Sequence, residues 1–127
     1  MTIEEFAQQH HLKIKKSSCD EQLIVGKLVK GGGQDRPENH HHIYEVNGQF
    51  FAFFNYVTVG KWNNVRKELE LLGARAIVNA QTEGVLHFDH TCQPLVKAVF
   101  KHVRVKVKRQ LTPEQKEAVR ARFAKKP

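Results

Sequence analysis

His41-His42-Ile43-Tyr44-Glu45-Val46-Asn47-Gly48-Gln49-Phe50-Phe51-Ala52-Phe53-Phe54 is the stretch on which the reading of this chain turns. Asn-Gly is the preferred centre of a two-residue type I′ turn, because both central residues need positive φ. It is flanked on both sides by residues that favour strands, so the stretch predicts a β-hairpin over residues 41–57. A two-residue turn also sets the register. Val46 should face Gln49, Tyr44 face Phe51 and His42 face Phe53, with Ile43 against Ala52 and His41 against Phe54 on the other side. The second strand is apolar at both parities, which predicts a central strand covered on both faces.

The flanking segments supply partners for this hairpin. Leu23–Val29 is rich in branched residues and reads as a strand. Leu12–Lys16 alternates in part and reads as a short edge strand, where lysine discourages strand-to-strand association. Downstream, Trp62, Val65, Leu69 and Leu72 recur at helical spacing within Lys61–Leu72, and Gly73 follows as a C′ residue. Ala76–Val78 and Val85–Phe88 read as two more strands. Leu95, Val96, Val99 and Phe100 mark one side of a helix near Thr91–His102, with Thr91 as its cap. At the N-terminus, Thr2 and Glu5 have capping-box spacing ahead of a short amphipathic helix, taken as peripheral. The fold class expected is α+β: one small domain over residues 1–110, with a mostly antiparallel sheet packed by two or three helices. A basic helix or tail over 111–127 follows, opening on Thr112-Pro113-Glu114-Gln115.

Charge is unevenly distributed along the 127 residues. The formal net charge is +8, but residues 1–94 carry ten Lys/Arg and eleven Asp/Glu, whereas residues 95–127 carry eleven Lys/Arg against Glu114 and Glu117 alone. A one-signed segment on a near-neutral body points to a polyanion as partner. Val103, Val105 and Val107 alternate with Arg104, Lys106 and Lys108, a strand pattern. A continued helix would instead align Lys97, Lys101, Arg104 and Lys108. The residues expected to contact nucleic acid, DNA or RNA, are Lys97, Lys101, Arg104, Lys106, Lys108, Arg109, Lys116 and Arg120.

Other chemistries find less support in the residues. His87, His90 and Cys92 lie close in sequence but lack the spacing of a zinc finger or knuckle, and His40 to His42 alternate sides in a strand, so no metal or cofactor is expected. His41 or His42 followed by Asn63 and Asn64 imitates a His–Asn–His nuclease order. The tight turn, however, leaves no room for the intervening loop, and no catalytic residue is predicted. Gly31-Gly32-Gly33 has no Lys-Ser/Thr after it and is not a phosphate loop. Two scattered cysteines, no apolar run long enough to span a bilayer and no signal-peptide pattern suggest a cytoplasmic, membrane-free setting.

No motif places the chain in a family. In size, basic C-terminus and α+β body it resembles, in general terms, accessory proteins carried by phages and other mobile elements. The leading expectation is a small non-enzymatic nucleic-acid-binding protein contacting phosphates. The alternative is an inhibitor or adaptor on a nucleic-acid-processing protein or ribonucleoprotein, such as a host defence nuclease, as anti-CRISPR proteins are. A small nuclease without a recognisable motif is a third reading.

Overall fold

Asn47 (φ 50°) and Gly48 (φ 82°) form the expected turn, and the two strands it joins run side by side at the centre of the molecule. The structure, a computed structural model, describes residues 1–29 and 35–107. In chain order the elements are α1 (Ile3–His10), β1 (Ile14–Lys16), β2 (Gln22–Leu28), a single 3-10 turn (Pro37–Asn39), β3 (His40–Val46), β4 (Gln49–Asn55), α2 (Val59–Leu71), β5 (Arg75–Asn79), β6 (Glu83–Phe88) and α3 (Gln93–Val103). The strands form one antiparallel sheet ordered β1-β2-β3-β4-β6-β5. The fold class is therefore α+β, as the residue pattern predicts.

The hairpin register matches the turn chemistry: Val46 pairs with Gln49, Tyr44 with Phe51, Ile43 with Ala52 and His42 with Phe53. One row across the sheet, Ile24, Ile43, Ala52, Leu86 and Ala76, faces the helices. Phe50, Phe54 and Phe88 share this side and are fully buried. Two glycines let the helices come down on it. A Cβ on Gly84 would lie 2.2 Å from the Trp62 ring of α2, and one on Gly26 would lie 1.8 Å from the Val103 carbonyl oxygen at the end of α3. Neither position admits a side chain without displacing a helix. Trp62 is anchored further by its Nε1–H, which donates to Asn79 Oδ1 at 2.9 Å.

Three expectations change. Among the described residues the three helices lie on one face of the sheet: on the opposite face Phe51 and Phe53 of β4 stay half-buried, whereas Leu23 and Val25 of β2 are buried. On that face Phe51 stacks on Tyr44 and Phe53 on His42. The N-terminal helix is not peripheral, because Phe6 is fully buried against Phe50, Phe88 and Phe100. Its capping box is formed, with Glu5 N–H donating to Thr2 Oγ1 at 3.2 Å and Thr2 N–H to Glu5 Oε1 at 3.3 Å. Glu45 then ties α1 to the hairpin, accepting from Ile3 N at 3.1 Å and Gly48 N at 2.9 Å. Finally, α3 is capped by Cys92 and not by Thr91. Thr91 is held instead by Asp89, whose Oδ1 accepts from its N–H and hydroxyl.

Candidate nucleic-acid interface

α3 presents its apolar side, Leu95, Val96, Val99 and Val103, to the core. That orientation leaves Lys97 and Lys101 exposed one helical turn apart. The helix stops at Val103. Arg104 occupies the left-handed region at φ 62° and its N–H bonds back to the Phe100 carbonyl, closing the C-terminus. The continued strand expected over Val103–Lys108 does not form among the described residues. A single antiparallel bridge joins Val107 to Leu12. The physical reason lies on β2, where the bare backbone at Gly26 receives the Val103 turn of the helix and the left-handed residue then redirects the chain towards β1.

That redirection has an electrostatic result. Lys106 leaves the α3 face and joins the β1 edge, where Lys13, Lys15 and Lys16 are exposed. Asp35 reports the proximity. Its carboxyl is held below the usual carboxylate range, first by the hydrogen bond from His40 (2.6 Å) and also by the charges of Lys15 and Lys106. At the other end of the surface, His102 bonds Glu68 of α2, and that bond, with Lys101 nearby, lowers the Glu68 carboxyl. Lys97, Lys101, Arg104 and Lys106 are all exposed, and among the described residues none forms an ion pair. Lys108, Arg109, Lys116 and Arg120, with the expected basic helix over 111–127, lie outside the described residues.

Sequence reasoning missed the β1 lysines as members of this surface. Their charges are cancelled in the body's near-zero sum, and only the Leu12–Val107 bridge shows which of the body's cations sit beside the C-terminal ones.

The histidines are dispersed. His41 is buried on the helix side, its ring edge-on to Phe54 and Tyr56, with Nε2–H donating to the Asn55 carbonyl at 2.9 Å. Burial first, then the charges of Lys27, His42 and Arg104, pushes its pKa down to about 4, against the Asn55 bond, which raises it. Burial also lifts the neighbouring Tyr56 hydroxyl to about 12. His42 is on the open face, stacked on Phe53, and its pKa is lowered chiefly by burial. His87 shares that face and donates from Nε2 to Gln49 Oε1 at 2.6 Å, whereas His90 packs on Phe6 and Phe50. His87, His90 and Cys92 are therefore not brought together. Among the described residues no three His, Cys, Asp or Glu side chains are placed to hold a metal.

Tyr44 and Phe51 stack at 5.2 Å and 16° on the open face. The groove beside Tyr44, about 660 Å³, is lined by His42 together with Asp20, Glu21 and Glu45. Burial, and then the charge of Glu21, raises the Tyr44 hydroxyl, and that carboxylate disfavours a phosphate at this end of the groove. No protein-family model matches the chain, and no curated protein or solved structure matches it. Among the described residues no helix is long and apolar enough to cross a membrane.

Proposed function

We propose that the protein binds nucleic acid through phosphate contacts made by Lys97, Lys101, Arg104 and Lys106 together with Lys13, Lys15 and Lys16. The observation that supports this reading is the Leu12–Val107 bridge, which brings Lys106 of the C-terminal stretch beside the lysines of the β1 edge, exposed and without an ion-pair partner among the described residues. Chemistry of this kind is positional and electrostatic. Each lysine ammonium is a point charge for a phosphate oxygen, and Arg104 offers a planar fork of donors. Neutralised phosphates release condensed counterions, and the gain is independent of sequence.

The test is fluorescence anisotropy with labelled duplex DNA and single-stranded RNA over a salt series. Four cations each on a duplex phosphate give a log–log slope of about −3.6, and engagement of the β1 lysines steepens it. Reversing Lys97, Lys101, Arg104 and Lys106 to glutamate should abolish binding with the melting curve retained. Absence of binding at low salt, or a slope near zero, would refute the reading. In that event, capture of one specific protein that handles nucleic acid supports the inhibitor or adaptor instead.

A further inference from the structure

His40 opens β3 with both ring nitrogens committed. Nδ1 lies 2.7 Å from the Gly26 carbonyl oxygen, and Nε2 lies 2.6 Å from Asp35 Oδ1. A carbonyl oxygen and a carboxylate both accept, so the ring that satisfies the two carries an N–H on each nitrogen and a positive charge. The two partners differ in depth. Gly26 sits under the Val103 turn of α3, which holds that side of the ring against the body. Asp35 lies outside: its side chain is 76% exposed, against 12% for His40. The carboxylate therefore covers the one ring nitrogen that faces the surface. Cations surround the same carboxylate. After the His40 bond, the charges of Lys15 and Lys106 draw it further below the usual carboxylate range. Both lysines are exposed, one on β1 and one on the stretch that the Leu12–Val107 bridge brings beside it. Glu38, the other acid of this segment, is committed elsewhere, since its Oε2 accepts from Ser18 N–H at 2.8 Å and from the Ser18 hydroxyl.

We propose that His40 Nε2–H, Lys15 and Lys106 form a site for a phosphate group, and that the Asp35 carboxylate fills it as an internal stand-in. An anionic oxygen that takes a charge-assisted N–H bond beside two ammonium groups occupies the place of a phosphate oxygen. The site belongs to the surface proposed above to meet nucleic acid, and it rests on that reading for the source of its phosphate. A free phosphate ion offers the same chemistry. Because Asp35 is on the solvent side of the ring, an incoming phosphate displaces the carboxylate alone and leaves His40 seated on Gly26. The donors pass from one anion to another, and the ring keeps both its protons. Asp35 thus restrains affinity, and its removal frees one more cation for the ligand.

Asp35→Ala vacates the site, and two measurements on the full chain at pH 6, which favours the doubly protonated ring, read the result. In anisotropy titrations with duplex DNA the variant should bind more tightly than the wild type at low salt. Its log–log salt slope should be steeper by about 0.9, the value of one further phosphate, so that it loses about 3.5-fold more affinity between 50 and 200 mM salt. Adding Lys15→Gln and Lys106→Gln should cancel the gain. Asp35→Asn keeps an acceptor for the ring without the charge, guards against a loosened loop, and should give a smaller gain of the same sign. The second measurement is NMR of the histidine ring nitrogens, with inorganic phosphate titrated against chloride at equal ionic strength. The His40 Nε2 signal should shift in Asp35→Ala and far less in the wild type. If neither chain binds duplex but phosphate still moves His40 in the variant, the nucleic-acid reading falls and the site stands as one for a small phosphate. A His40 signal that ignores phosphate in Asp35→Ala overturns the proposal, whatever the duplex does. So does a variant that binds duplex no better than a wild type that binds it.

Discussion

Replacing His41 by phenylalanine should reduce the protein's sensitivity to mild acid, leaving the part due to His10 and His42, which burial also shifts down. The wild-type ring is 4% exposed, and its Nε2–H is committed to the Asn55 carbonyl. Nδ1 is buried with no partner among the described residues. Protonation would place a second N–H, and a charge, where nothing accepts either. With the folded pKa at about 4 and the ordinary value at 6.5, the unfolded chain binds the proton first as pH falls. Stability is therefore complete above pH 6.5 and is lost progressively down to pH 4. The full gap corresponds to about 3.4 kcal/mol, of which about 2 kcal/mol is lost by pH 5. Phenylalanine keeps the edge-on contacts with Phe54 and Tyr56 but leaves the Asn55 carbonyl without its donor, a pH-independent cost of about 1–3 kcal/mol. Urea unfolding of both chains at pH 7.5, 6 and 5 isolates the effect. Carboxylates with lowered pKa, such as Asp35 and Glu68, act equally in both and cancel in the difference. The wild type should start more stable, and its advantage should shrink by about 2 kcal/mol between pH 7.5 and 5. Parallel pH profiles would show that His41 already carries its proton, or does not need to lose it, and would refute the burial argument.

Reversal of Lys13 and Lys15 to glutamate should weaken duplex binding and flatten its salt slope by about 1.8, since two phosphate contacts are removed; anisotropy titrations at several salt concentrations measure it. Gly84→Ala should lower stability by about 1–3 kcal/mol in urea titrations as its methyl meets the Trp62 ring and the Val78 carbonyl oxygen of β5, and Gly26→Ala should be worse, because its Cβ lies closer still to backbone, 1.8 Å from the Val103 carbonyl oxygen. Asn79→Ala should cost about 1–3 kcal/mol by stranding the Trp62 N–H, with a matching change in tryptophan fluorescence. Phe51→Thr on the open face should cost about 1 kcal/mol or less and leave nucleic-acid affinity unchanged.

The hairpin was legible because its determinants are local. Two residues that tolerate positive φ, placed between strand formers, specify five of the sheet's pairings without reference to the rest of the chain. Trp62, Val65 and Leu69 likewise announce α2 by spacing alone. The same logic fails at Val103–Val107, where alternation suggests a strand. The end of α3 is decided by a glycine on β2 far away in sequence, and no local pattern records it. Nor does β4 reveal which of its two apolar sides receives the helices. Phe50, Ala52 and Phe54 do, while Phe51 and Phe53 face outward, and that choice is made by the whole set of connections. The basic surface divides in the same way. Its C-terminal members stand out as a run, whereas the β1 lysines join it only through a contact between distant residues.

That contact also has a consequence for the order in which the molecule is made. The four strands β1 to β4 form a meander of neighbours, which low-separation pairings can assemble early. The Leu12–Val107 bridge instead closes nearly the whole described chain, so its loop entropy must be met after the body has formed. During synthesis the body's strands are available while the segment beyond α3 is still inside the ribosome. The lysines of β1 therefore spend that interval without their neighbours. The juxtaposition of the two lysine-bearing stretches is thus a property of the finished body and not of the nascent one.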